Sequence, residues 1–85
     1  SHKQTMIEVD TRDRLGLLHD ITNTLFRNQI TIRSAVIATY GEQAVDTFYV
    51  NDLFGEKITS SQKLEQVRKE LLFYLDKHFK KALKN

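Results

Sequence analysis

The 85-residue sequence predicts an α+β fold: an antiparallel sheet carrying two helices on one face, in the order strand, helix, strand, strand, helix. Three observations predict it. Residues 4–10 alternate with a period of two, and Leu17, Leu18, Ile21 and Leu25 recur at helical spacing. Residues 30–51 then form two runs rich in β-branched side chains around a single glycine turn.

The first strand is Gln4 to Asp10, with Thr5, Ile7 and Val9 on one face and Met6, Glu8 and Asp10 on the other. Ile7 and Val9 are expected to point to the core. Thr11-Arg12-Asp13-Arg14-Leu15-Gly16-Leu17-Leu18 then forms a strand-to-helix turn, with Asp13 expected to cap the helix and Gly16 allowing close backbone approach. The helix buries Leu17, Leu18, Ile21 and Leu25, places Phe26 at the side of that stripe, turns His19 to solvent and exits at Asn28-Gln29.

Residues 30–40 are too long for one clean alternation: Ile30 and Ile32 share one parity, Ala35 and Ile37 the other. A bulge near Arg33-Ser34 puts both pairs on the same face. Tyr40-Gly41-Glu42-Gln43 turns the chain, and Ala44 to Asn51 completes a long antiparallel hairpin. Asp52-Leu53-Phe54-Gly55 closes that strand. Ser60 or Ser61 caps a second helix with a buried stripe of Leu64, Val67, Leu71, Leu75 and Phe79. No fourth strand follows: residues 79–85 lack β-branched side chains and continue the helical pattern, which leaves the first strand with an unpaired edge.

A chain of this length makes one domain that buries roughly 60–65% of its unfolded surface. Residues 1–3 read as a cloning remnant or linker, and 4–85 as a single domain with a core over 5–75 and a basic helical tail at 76–85. The start at Ser1-His2, with Met6 the only methionine, is expected of a processed chain or of a piece excised from a larger protein, the second being favoured. The absence of cysteine excludes a disulfide scaffold and thiolate metal sites. No run is long enough to cross a membrane as a helix, so a cytoplasmic location is expected, without membrane partners. The net charge of +2 conceals −2 over residues 1–62 and +4 over 63–85, where Lys77, Lys80, Lys81 and Lys84 cluster. Those lysines complement a helix C-terminus.

No catalytic residue and no metal ligand emerges. Ser34, Ser60 and Ser61 have no histidine placed by pattern to activate them, and His2, His19 and His78 lack ligand spacing. Gly16, Gly41 and Gly55 are too dispersed for a phosphate loop. RNA-binding modules share this layout, but Phe48 and Tyr49 stand outside their aromatic motif and Asp46 opposes phosphate, so RNA binding is the weakest of three readings. A ligand-sensing module and a ligand-independent assembly module stand ahead of it.

Residues Asp13 to Thr22 resemble the start of an ACT domain, whose usual loop is Asp/Asn-x-Pro-Gly-Leu. The hairpin Ile32–Glu42 with Ala44–Val50, and the following Asp52–Ile58, is similar to the C-terminal ACT domain of bacterial bifunctional uridylyltransferase/uridylyl-removing enzymes, with a looser likeness to plant ACT-repeat proteins. The resemblance spans residues 5–75 and implies the ferredoxin-like ACT fold. It implies a regulatory module that binds an amino-acid effector, here glutamine, and pairs with another ACT domain as a homodimer or tandem pair. Such a parent acts on the PII protein, and its nucleotidyltransferase and phosphohydrolase machinery lies outside this chain. No cofactor is implied for this piece.

By position, the implied ligand-binding residues are Thr11, Asp13, Arg14, Leu15, Gly16, Leu17 and Leu18, with Asp13 facing the amino group and the Leu15–Leu17 amides facing the carboxylate. Leu15 replaces the family's usual proline. Thr11 and Asp13 stand where serine-sensing relatives carry His and Asn, so the serine-type contacts are not expected.

Overall fold

The computed structural model describes residues 3–84, with side chains described through Leu75. Readings that concern Ser1, His2, His78, Phe79 and the tail lysines lie outside the described residues and side chains. The elements are β1 (Thr5–Arg12), α1 (Leu17–Arg27), β2 (Ile30–Tyr40), β3 (Gln43–Asp52) and α2 (Ser61–Lys84), in the expected order. The sheet is antiparallel with β3 in the centre, order β1-β3-β2. A fourth strand is absent among the described residues; the backbone of 76–84 continues α2.

Register explains the layering. Ala44, Asp46, Phe48 and Val50 of β3 stand opposite Thr11, Val9, Ile7 and Thr5 of β1. On the other side they stand opposite Thr39, Ile37, Ala35 and Ile32 of β2. Directly paired residues share a face, so this is one row. Ala44, Phe48 and Val50 join Leu17, Ile21 and Leu25 of α1 and Val67 and Leu71 of α2 in a single core, so both helices cover this face. The alternation of β1 holds, with Thr5 and Val9 buried. The bulge between Ile32 and Ser34 falls where the parity conflict placed it, and it returns Ala35 and Ile37 to the helix-bearing face.

Gly41 sits at φ 63° in the first position of the two-residue turn between β2 and β3. That is the glycine-first turn whose twist suits a hairpin. At the exit of α1, Asn28 and Gln29 donate to Leu25 and Phe26 carbonyls, with Gln29 at φ 57°. Asn28 is buried; its side chain donates to Thr24 O (2.8 Å) and Glu70 Oε1 (3.2 Å), which ties the two helices together. Arg27 stacks its guanidinium over the Tyr74 ring at 4.8 Å, a second tie between them.

Three expectations need correction. Asp13 does not cap α1. The N-cap is Gly16 in the left-handed region (φ 81°), without a side-chain cap bond, because the turn closes through Leu17 N to Arg14 O (3.2 Å). Thr11 and Arg12 belong to β1, since their pairing with Ala44 and Gln43 extends the strand to the hairpin end. Leu18 is exposed, and the buried stripe is Leu17, Ile21, Thr24 and Leu25. One residue along a helix is about 100° around it, which carries Leu18 off the narrow stripe that faces a three-stranded sheet.

Ser60 is the cap of α2: its Oγ accepts from Lys63 N at 3.2 Å and its carbonyl from Leu64 N at 3.1 Å. Ser60→Ala is expected to destabilise the domain by about 1 kcal/mol, with Ser60→Asp nearly neutral, as read by urea unfolding.

Candidate functional site

The junction of β1 and α1 is held from two directions. The amide of Asp13 donates to the carbonyl of Glu42 at 2.7 Å, which moors the start of the turn to the β2–β3 hairpin. Arg14 then folds back over the helix start, its Nη2 2.6 Å from Asp20 Oδ2 and its Nη1 donating to Leu15 O at 3.2 Å. That ion pair is half-buried and spans the first turn of α1, so it fixes the height of the turn above the sheet.

Beneath the turn lies a cavity of about 220 Å³ lined by Asp13, Arg14, Leu15, Gly16, Leu17, Leu18 and His19 on the helix side. Ile37, Thr39, Ala44 and Asp46 form the sheet side. The volume is below the roughly 300–1,000 Å³ of sites for drug-sized ligands and suits a small metabolite. Six of the seven residues expected at the site therefore meet in one cavity; Thr11, half-buried at the end of β1, is not among its lining residues.

Their roles differ. Leu17 is a core residue, 3% exposed, and Leu15 is fully exposed at the tip of the turn. The Leu17 amide is used inside the turn by Arg14 O, so it does not belong to the set facing a ligand carboxylate. Leu18 and His19 follow in the first turn of α1, where amides have no helix carbonyl to bond and the helix end is electropositive.

Sequence reasoning missed His19, Ile37, Thr39, Ala44 and Asp46. The signal for Asp46 was present: it interrupts the row Ala44, Phe48, Val50, where parity demands a core residue. The structure places it there, 2% exposed.

Other surface features are of a different kind. On α2, Arg68 donates to both carboxylate oxygens of Glu65 (3.1 and 2.8 Å). That hydrogen bonding holds the Glu65 carboxyl below its ordinary range and raises Arg68. The pair is exposed on the helix surface and lines no part of the cavity beneath the turn. Among the described residues no cluster of His, Asp or Glu is arranged to hold a metal ion, and no helix is long and apolar enough to cross a membrane.

Comparison with known proteins adds a lineage to this geometry. The family described as the ACR family N-terminal ACT domain matches residues 1–76. The chain is 60% identical over 67 residues to a bifunctional uridylyltransferase/uridylyl-removing enzyme of Cereibacter sphaeroides, covering 79% of this chain and 7% of that protein. It is 53% identical over 76 residues to the enzyme of the same name from Zymomonas mobilis, covering 89% of this chain and 8% of that protein. The Azospirillum brasilense enzyme is 52% identical over 75 residues, or 88% of this chain and 8% of the relative. The chain thus spans about 7–8% of the length of these relatives.

Proposed function

The chain belongs to the ACT-domain family, and from that premise we propose that it is the regulatory, non-catalytic amino-acid-sensing domain of a uridylyltransferase/uridylyl-removing enzyme. Its effector is glutamine, bound in the cavity beneath residues 13–18. The single observation that carries this reading is the convergence of those six residues on one small cavity at the N-terminal end of α1, a place suited to a carboxylate. Catalysis on the PII protein is assigned to the remainder of the parent, and neither metal nor cofactor is needed here.

Regulation follows as a population shift. The turn is moored to Glu42 and clamped by Arg14 and Asp20, so ligand beneath it favours one setting of turn and hairpin. A second ACT domain, in a homodimer or a tandem pair in the cytoplasm, carries that bias toward a distant active site.

Titration of the chain with glutamine, followed by amide chemical shifts, is expected to move resonances of residues 13–19 and of Asp46. Glutamine at a hundred times its Kd should stabilise the fold by about 2.7 kcal/mol. No shift and no stabilisation at millimolar glutamine would overturn the reading.

A second reading, assembly without a ligand, is favoured by the uncovered sheet face. Met6, Val36 and Tyr40 are exposed there, and β1 has an unpaired edge among the described residues. It requires dimers in sedimentation whose concentration dependence glutamine does not alter.

A further inference from the structure

We propose that Asp46 is the acceptor for the ligand's ammonium group, and that it restricts the site to molecules with a free amine. The assignment rests on the cavity under residues 13–18 being the ligand site.

Asp46 stands in the core-facing row of β3, paired with Val9 on one side and Ile37 on the other, where a carboxylate has little to gain from packing. It is 98% buried, and its Oδ1 has no hydrogen-bond partner among the described residues. A buried carboxylate oxygen left alone is costly, and native proteins pair such atoms almost without exception. The cation that lines the same cavity is already engaged: Arg14 binds Asp20 and the Leu15 carbonyl. Asp46 thus lines the cavity and carries a carboxylate oxygen, closed to solvent, that the surrounding chain leaves unmatched; a rotation of the side chain would present it to a ligand.

A primary ammonium supplies three donors and the opposite charge, which is the chemistry Oδ1 lacks. The same cavity meets the first turn of α1 at Leu18 and His19. One wall thus offers an acceptor for a cation and another an electropositive helix end for an anion. A zwitterionic α-amino acid presents both groups on one carbon. Asp13, in contrast, is exposed at the start of the turn, where water competes for its carboxylate. The geometry moves the amino-group role from Asp13 to Asp46.

The test uses the 85-residue chain with glutamine and N-acetylglutamine as probes, read by calorimetry and amide shifts. Glutamine is expected to bind wild type and Arg68→Gln, a surface change on α2, within a few-fold of each other. Asp46→Asn should weaken it by roughly 10–100-fold, the scale of one charge-assisted hydrogen bond. N-acetylglutamine, which has no ammonium, should show the same loss on wild type, an arm that needs no variant to fold. The thermal midpoint of Asp46→Asn should be unchanged or higher, because an unmatched buried charge has been removed. Glutamine binding undiminished in Asp46→Asn, or N-acetylglutamine binding as tightly as glutamine, overturns the role of Asp46 and leaves the site standing. Failure of glutamine and every other protein amino acid to bind wild type overturns the site itself, and Asp46's role with it.

Discussion

Phe48→Ala is expected to destabilise the domain by about 3–5 kcal/mol, the range for truncating a buried aromatic. Phe48 is 1% exposed at the middle of the central strand, paired with Ile7 on one side and Ala35 on the other. It belongs to the one cluster that joins both helices to the sheet. Neither neighbour can fill the space, since Ala35 is too small and Ile7 is held by the register of β1. A domain of this size has a total stability on the order of 4–13 kcal/mol by the usual per-residue scale. The variant should therefore unfold at much lower urea, with the slope of the transition unchanged. A loss under 1 kcal/mol would mean that Phe48 does not lie in a packed core.

Thr5→Val tests a different kind of force. Thr5 Oγ1 accepts from Ile58 N at 2.9 Å and donates to Ile58 O at 3.0 Å, across fifty-three residues of chain. The hydroxyl thereby serves both backbone groups of a buried residue in the segment between β3 and α2. Valine keeps the shape of threonine and strands a donor and an acceptor together. The expected cost is about 2–3 kcal/mol, limited by how far the segment can swing out to water. Hydrogen exchange at the Ile58 amide should accelerate in the variant, while Thr5→Ser retains most of the protection. Equal exchange in Thr5→Val would show that the pair of bonds does not hold the segment.

These two residues also mark what a linear reading could and could not reach. Strand parity separated Phe48 from Tyr49 without knowing the partner strand, and the structure decides that Phe48 is the one under the helices. The bulge was legible for the same reason, as Ile30 and Ile32 conflict in parity with Ala35 and Ile37 and only an inserted residue reconciles them. The second helix was legible to within one residue of its cap: of Ser60 and Ser61, it is Ser60 whose hydroxyl accepts from the amide three residues on.

What failed depended on the third dimension. The aspartate at position 13 has the right chemistry for a helix cap, yet its backbone is drawn toward Glu42, a hairpin residue no local rule connects to it. Leu18 is apolar and was counted in the buried stripe, but the sheet is only three strands wide, so it stays exposed, as Phe26 does at the side of the stripe. The cavity was foreseen on one side only. The turn is contiguous in sequence, whereas the opposing wall comes from two strands and depends on register. Asp46 could have been singled out as a charge in an otherwise apolar row.

The bulge between Ile32 and Ser34 imposes one more condition on this chain. It sets the reading frame of the hairpin: beyond it, Ile37 and Thr39 reach the cavity wall only because one residue has no opposite number in β3. Arg33 is exposed, so the identity of the residue there is nearly free. The bulge itself is not. Pairing straight through that point would invert every side chain from Ala35 to Tyr40 relative to Ile30 and Ile32, exchanging one wall of the cavity for the sheet's outer surface. Deleting Arg33 would invert nothing, since Ile32 and Ala35 would then alternate in one regular frame. What the extra residue adds is a local bend and twist, not a choice of face.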